Sequence, residues 1–135
     1  MIPLVEFRAE NRAIKDLCTI LGMTIDQHGL RRNSIVCELM DRFVVSVNGH
    51  LAHEDRSIYG ELLKQHTKEA NAIADKFLGN TQELKRIFNT YTHDWCRKQH
   101  SKSQHDEYAE ESREMFRLVC KRLDFEEEKI FPHFE

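Results

Sequence analysis

Apolar residues recur along this chain at steps of three and four positions, the spacing of a helix that buries one face. Four such stripes can be read, and no stretch has the alternating pattern of a strand or hairpin. The stripes are Leu4, Phe7, Asn11, Ile14, Cys18, Leu21, Ile25; Val36, Met40, Phe43, Val47, His50, Glu54, Ile58; Phe77, Thr81, Leu84, Phe88, Tyr91, Trp95; and Tyr108, Met115, Val119, Arg122, Glu126, Ile130. The pattern predicts an all-α fold, an up-and-down antiparallel four-helix bundle.

Turn-forming and polar residues separate the predicted helices. Gly29 and Asn33 mark the first junction, and the polar run 100–105 marks the third. The second junction falls within residues 60–80, which read either as a loop or as a short helix from Glu69 to Phe77 that ends at Gly79-Asn80. The length predicts a single domain over residues 1–135.

Each stripe is interrupted by polar residues near one level of the expected bundle. A buried polar group without a partner costs about 1–3 kcal/mol, so several at one level indicate a shared site or network. His50 and Glu54 lie one helical turn apart, which suits a helix that binds iron or zinc. Glu126 on the last helix is the expected partner of this pair, and only Glu126 of the run 126–128 is in phase with the apolar stripe.

The segment from Gly49 to Tyr59, which holds His50 and Glu54, and the ending Ile130-Phe131-Pro132 after Glu126 make the chain resemble the hemerythrin-like (HHE cation-binding) family. The resemblance runs from about Leu4 to Phe134. It implies a four-helix bundle with a di-iron site between the helices. The family pattern has a histidine on the first helix, His-x-x-x-Glu on the second, a histidine on the third and His-x-x-x-Glu on the fourth.

This sequence keeps only part of the implied ligand set. His50, Glu54 and Glu126 match the pattern. The remaining positions are degenerate: Asn11, Thr81 and Arg122 stand where the family has histidines on the first, third and fourth helices. His66 is the alternative to Thr81 if the second connection is short.

Arg122 decides how the degenerate site should be interpreted. Asparagine and threonine are poor substitutes for imidazole, and arginine stays protonated and cannot coordinate a metal. Our hypothesis is that the Arg122 guanidinium replaces the metal and bridges Glu54 and Glu126, with His50 and Asn11 completing the hydrogen bonds. No cofactor is expected in that case.

Two alternatives remain open at this stage. The Arg122 side chain could run along the helix to the surface. It could also swing outward and leave His50, Glu54 and Glu126, with His53 or His66, to hold one zinc, iron or manganese ion.

Composition narrows the classes of partner and location. A formal charge of −3 and a pI near 6.2 give no bias toward nucleic acid or an anionic membrane, and no apolar run approaches the length of a membrane span. The beginning of the sequence has no signal-peptide pattern. The cysteines (Cys18, Cys37, Cys96, Cys120) form no Cys-x-x-Cys pair. We therefore expect reduced thiols and a cytoplasmic protein.

Two functions follow from these expectations. The first is a hemerythrin-like protein that has lost the full di-iron site and acts as a regulatory or interaction module with a protein partner. The second is an iron- or zinc-binding sensor of oxygen, redox state or iron that uses His50, Glu54 and Glu126. An enzyme is not expected, because no nucleophile–base pair or nucleotide-binding motif is present.

Overall fold

Four long α-helices make up most of the computed structural model, which describes residues 2–25, 27, 33–92 and 102–135, without the side chains of 102–106 and 108. They are α1 (Leu4–Thr24), α2 (Ser34–Lys64), α3 (Lys68–Thr92) and α4 (Lys102–Phe125). The last helix continues as one π-helical turn, Glu126–Ile130, and a 3₁₀ turn, Phe131–Phe134. No strand occurs within these ranges, so the all-α prediction is confirmed.

Contacts between side chains give the helices their order and direction. The ammonium of Lys15 on α1 lies 2.6 Å from the carboxylate of Asp124 on α4. On the other side of α4, the hydroxyls of Tyr91 on α3 and Ser112 on α4 are 2.6 Å apart. Thr81, which lies earlier on α3, contacts Arg122, which lies later on α4. Residue numbers thus rise along α3 as they fall along α4, and each helix packs mainly against two neighbours. This is the predicted antiparallel bundle.

The second junction is the short connection that the His66 alternative assumed, and neither the predicted loop nor the separate short helix occupies residues 60–80. Only Gln65–Thr67 separate α2 from α3, with His66 in the left-handed region at φ 54°. Helix α3 then runs through Gly79 and Asn80, so the predicted helix end there is wrong. A glycine in the interior of a helix costs about 1 kcal/mol. The burial of Phe77 and Thr81, on either side of Gly79, offsets this cost and keeps α3 continuous.

The other junctions agree with the prediction in part. The Asn33 side chain accepts a hydrogen bond from the backbone N–H of Ile35 at 2.8 Å and caps α2. Helix α4 already begins at Lys102, so the end of the polar run 100–105 is helical and that predicted boundary is wrong by a few residues. Polar composition alone does not end a helix whose apolar face is buried further on. Gly29 and Trp95 lie outside the described residues.

The core consists of two apolar clusters. One is built around Phe43, whose ring packs edge-on against Phe88 and Phe116 at centroid distances of 5.7 and 5.4 Å. The other, near the end of the chain, contains Phe7 and Phe131. Among the stripe residues whose side chains the structure describes, those that belong to neither cluster are polar and buried, and they form a layer between the two.

The cysteines correct one expectation. Cys18 and Cys120 carry free thiols, but Cys37 is disulfide-bonded. The expectation of reduced thiols throughout is therefore wrong for Cys37, because a disulfide does not need the Cys-x-x-Cys spacing on which that expectation rested. None of the described helices is both long enough and apolar enough to cross a membrane.

Candidate functional site

The layer between the apolar clusters brings together the polar residues of all four stripes. None of its members exposes more than 2% of its surface. Because every helix contributes to it, the layer exists only in the assembled bundle. We call it the polar layer; its members are Asn11 from α1, His50 and Glu54 from α2, Thr81 from α3, Arg122 from α4 and Glu126 from the π-helical turn.

Arg122 points into the polar layer and not to the surface. Its Nε donates to Glu126 Oε2 at 2.7 Å, and its Nη2 donates to Glu54 Oε1 at 3.3 Å. The guanidinium therefore bridges the two buried carboxylates, which is the arrangement predicted from the sequence. The alternative of an Arg122 side chain at the surface is wrong, because these buried carboxylates need a cation.

The rest of the Arg122 guanidinium is held by α3. Its Nη1 donates to Thr81 Oγ1 at 2.6 Å and to Asn80 Oδ1 at 2.8 Å. The guanidinium carbon lies 4.5 Å from the centre of the Phe77 ring, a cation–π distance. Thr81 thus occupies the third-helix position of the site, whereas His66 is exposed in the α2–α3 connection. Contacts in several directions fix the orientation of the guanidinium.

His50 links the polar layer to the outside of the bundle. Its Nε2 lies 2.9 Å from Glu126 Oε1 and 3.3 Å from Glu54 Oε2. Its Nδ1 lies 2.6 Å from Glu10 Oε1, and the other Glu10 oxygen lies 3.1 Å from Nδ1 of His53. Glu10 and His53 are half-buried and line a cleft of about 450 Å³ between α1 and α2. His53 therefore contacts Glu10 and not the buried carboxylates.

The burial of these charges perturbs their titration. Burial, and then the negative charge of Glu126, raise the pKa of Glu54 to about 8 against the attraction of His50. Burial alone would lower the pKa of His50, but its hydrogen bond to Glu126 and its ion pair with Glu54 raise it to about 11. Burial opposes ionisation of Glu126, yet contacts with His50, Glu54 and Arg122 together lower its pKa. At neutral pH, Glu126 is thus the anion that His50 and Arg122 share.

Asn11 departs from the predicted network. It is buried, but its Nδ2 donates to Glu127 Oε1 at 3.2 Å and not to Glu54 or Glu126. Its Oδ1 has no hydrogen-bond partner. The part of our hypothesis that gave Asn11 a hydrogen bond within the bridged pair is wrong, because Glu127 at the rim of the layer binds its amide.

The arrangement also has the elements of a metal site. Ligand atoms of His50, Glu54 and Glu126 all lie within 4.8 Å of one another, and each residue is buried. Imidazole and carboxylate ligands in such a group suit zinc, iron or manganese. The Arg122 guanidinium contacts both carboxylates of this group, so a metal ion and the present Arg122 position compete for the same oxygens.

Sequence reasoning did not find all the residues that matter. Glu10 and Asn80 are each adjacent to a recognised position, Asn11 and Thr81, but out of phase with the apolar stripe. Their side chains reach the site from the edge of the helix, and no periodic signal marks such positions. The π-helical turn at Glu126 was also missed, although π turns occur often at functional sites.

Comparison with known protein families identifies the chain. The model of the family described as "Hemerythrin HHE cation binding domain" matches residues 3–134, nearly the whole sequence. No curated protein and no solved structure is similar enough to count as a match. The helical bundle and the buried His50, Glu54 and Glu126 group agree with the family description. This chain belongs to the hemerythrin HHE cation-binding domain family.

Proposed function

We propose that this chain is a hemerythrin-like protein that has lost the di-iron site and acts through its surface as a regulatory or interaction module. One observation carries the proposal: the Arg122 guanidinium lies between Glu54 and Glu126, the two buried carboxylates of the polar layer. A metal ion in this position would have to displace a fixed cation. The internal arginine makes the fold independent of a bound metal.

The contacts of Arg122 support a permanent position for its side chain. The guanidinium donates to acceptors on α2, α3 and the π-helical turn, so it joins three elements of the bundle. Moving it outward would leave Thr81 and Asn80 without this donor and would expose two carboxylates to each other. Breaking a buried ion pair in this way costs about 3–5 kcal/mol. A metal would have to recover that free energy before it gained any net affinity.

The donor set does not fit two metal ions. Two iron ions need several neutral imidazoles and bridging carboxylates. His50 is the single imidazole within the polar layer, because Asn11, Thr81 and Arg122 occupy the other positions. A protonated His50 cannot ligate a metal through its ring nitrogens, and its contacts with the Glu126 and Glu54 carboxylates favour that form. We therefore derive no chemistry from a di-iron centre.

The proposal places the function on the surface of the bundle. We propose a protein partner and no enzymatic activity, since the buried charges are engaged with one another. A cytoplasmic location is proposed from the free thiols of Cys18 and Cys120, against the disulfide at Cys37. Nucleic acid and membrane are not proposed as partners, given the formal charge of −3.

A second function has one specific observation in its favour. Glu54 Oε2 is buried and accepts no hydrogen bond, since its 3.3 Å contact with His50 is an ion pair without hydrogen-bond geometry. The ligand atoms of His50, Glu54 and Glu126 converge within 4.8 Å. A single zinc or iron ion bound there would make the chain a metal-dependent sensor of oxygen, redox state or iron. This function requires Arg122 to move away from Glu54 and Glu126.

Thermal unfolding with divalent metals separates the two functions. Metal binding to the folded state alone raises Tm by linkage, in proportion to the logarithm of the metal concentration. We expect Zn²⁺ and anaerobic Fe²⁺ to leave the Tm of the wild type unchanged and to raise the Tm of Arg122→Ala, in which the carboxylates have lost their cation. A rise in the wild type that disappears in His50→Ala would instead support the sensor and reject the first proposal.

A further inference from the structure

Two cysteines face each other across α1 and α4, outside the polar layer. The Lys15–Asp124 ion pair, at 2.6 Å, fixes the register of these antiparallel helices. Cys18 lies three residues after Lys15 on α1, and Cys120 lies four residues before Asp124 on α4. Both steps are one helical turn in the same spatial direction, so the register places the two cysteines opposite each other. The packing agrees, since Cys120 contacts the apolar cluster that contains Cys18.

The two thiols are neighbours across the α1–α4 interface and differ in accessibility. Both are free thiols. Cys18 is buried, with 7% of its surface exposed, whereas Cys120 is half-buried and can be reached from solvent. The nearby Cys18 thiol and the charge of Lys15 lower the pKa of Cys120 to about 7, against the effect of burial. The nearby Cys120 sulfur, and then burial, raise the pKa of Cys18.

This asymmetry divides the roles between the two sulfurs. A thiolate is the nucleophile in thiol oxidation, and redox-sensitive cysteines are accessible and lie next to a second cysteine that resolves the oxidised form. Cys120 has the accessibility and the stabilised thiolate of the first residue. Cys18 has the buried, adjacent position of the second.

We propose that Cys18 and Cys120 form a redox-modification site, at which hydrogen peroxide converts the two thiols into a disulfide between α1 and α4. The Cys120 thiolate attacks a peroxide oxygen; an S–O bond forms, the O–O bond breaks, and the released hydroxide takes up a proton to give water. The Cys18 sulfur then attacks the Cys120 sulfur; the S–S bond forms, the S–O bond breaks, and hydroxide leaves with the Cys18 proton as water. The peroxide accepts the two electrons that the thiols lose, and a dithiol reductant reverses the change.

The disulfide would join α1 to the helix that carries Arg122, two residues beyond Cys120. The site does not depend on whether the polar layer holds a metal ion or Arg122. It would make the bundle sensitive to oxidation, a property that is separate from the proposed loss of the di-iron site.

Peptide mapping after oxidation tests the proposal. The reduced full-length chain is treated with one equivalent of hydrogen peroxide, the remaining thiols are alkylated, and the digested peptides are analysed by mass spectrometry. We expect a peptide that links Cys18 to Cys120 within one chain and disappears after dithiothreitol. The Cys37→Ser variant is the matched control and should form the same link, because that residue lies outside the α1–α4 pair.

Two variants assign the roles. In Cys18→Ser, the Cys120 sulfenic acid should persist and be trapped by dimedone, whereas the wild type should give little trapped product. In Cys120→Ser, Cys18 should remain a thiol at the same peroxide concentration. Equal dimedone trapping at Cys120 in the wild type and in Cys18→Ser would overturn the proposal, as would a Cys120 disulfide formed only between two chains.

Discussion

The Arg122→Ala substitution removes the buried cation that faces Glu54 and Glu126. Removing one partner of a buried ion pair costs about 3–5 kcal/mol, since the remaining charge has neither water nor a counter-ion. Contacts of 2.7 Å to Glu126 and 3.3 Å to Glu54 place Arg122 among strong pairs. His50 remains as a second cation beside both carboxylates and reduces the loss. We therefore expect a loss of about 3 kcal/mol in the free energy of unfolding at pH 8.

The pH at which this loss is measured provides an internal check. Because burial and Glu126 raise the pKa of Glu54 to about 8, this carboxyl is mostly neutral at lower pH. A neutral Glu54 needs no counter-ion, so the loss caused by Arg122→Ala should be smaller near pH 6 than near pH 8.

Urea unfolding followed by circular dichroism, in buffer with a chelator, measures the effect. Arg117→Ala is the matched control: Arg117 lies on the same helix but is exposed beside Glu114, so its loss should leave the urea midpoint unchanged. Arg122→Met keeps most of the side-chain volume and should be nearly as destabilised as Arg122→Ala if charge is the cause. Equal urea midpoints and slopes for Arg122→Ala and the wild type would refute the internal-cation argument.

Three further predictions concern the same layer. The free energy of unfolding should fall as pH rises from about 5 to about 8, because Glu54 binds its proton more tightly when folded; Glu54→Gln should flatten this decline in urea titrations. The raised pKa of His50 extends the decline towards higher pH, since its contribution is complete below 6.5 and is lost as pH approaches about 11. The triple variant Asn11→His, Thr81→His, Arg122→His should bind iron, and its failure to do so in metal analysis would contradict the assignment of these positions. Asn11→Leu should change the free energy of unfolding by less than about 1 kcal/mol, because Oδ1 has no partner and the bond from Nδ2 to the half-buried Glu127 is the single one lost; a larger loss in urea unfolding would contradict this description of Asn11.

The apolar stripes predicted the fold and the centre of the site because both depend on which residues face the core at helical spacing. His50, Glu54, Thr81 and Glu126 are in phase with the buried residues of their helices, so they had to enter the core. Arg122 is in phase as well, and two carboxylates at its level favoured an inward orientation. Helical spacing and charge balance did not decide this orientation, because the length of the arginine side chain also allowed a path to the surface.

Other features depend on information that periodicity does not contain. Glu10 reaches His50 from an out-of-phase position, and this contact depends on how closely α1 packs against α2. Gly79 reads as a helix end, but the burial of α3 on both sides of it outweighs the local preference. The π-helical turn at Glu126 places Ile130 and Phe131 both in the core, although they are adjacent in the sequence. Tertiary packing decided each of these outcomes.

Metal analysis of the protein purified from iron-supplemented cells tests most directly whether Arg122 has replaced the metal. The account predicts iron and zinc contents far below one ion per chain, with no change in His50→Ala or Glu54→Ala. A near-stoichiometric metal that is lost in both variants would contradict it and would favour a sensor built on His50, Glu54 and Glu126.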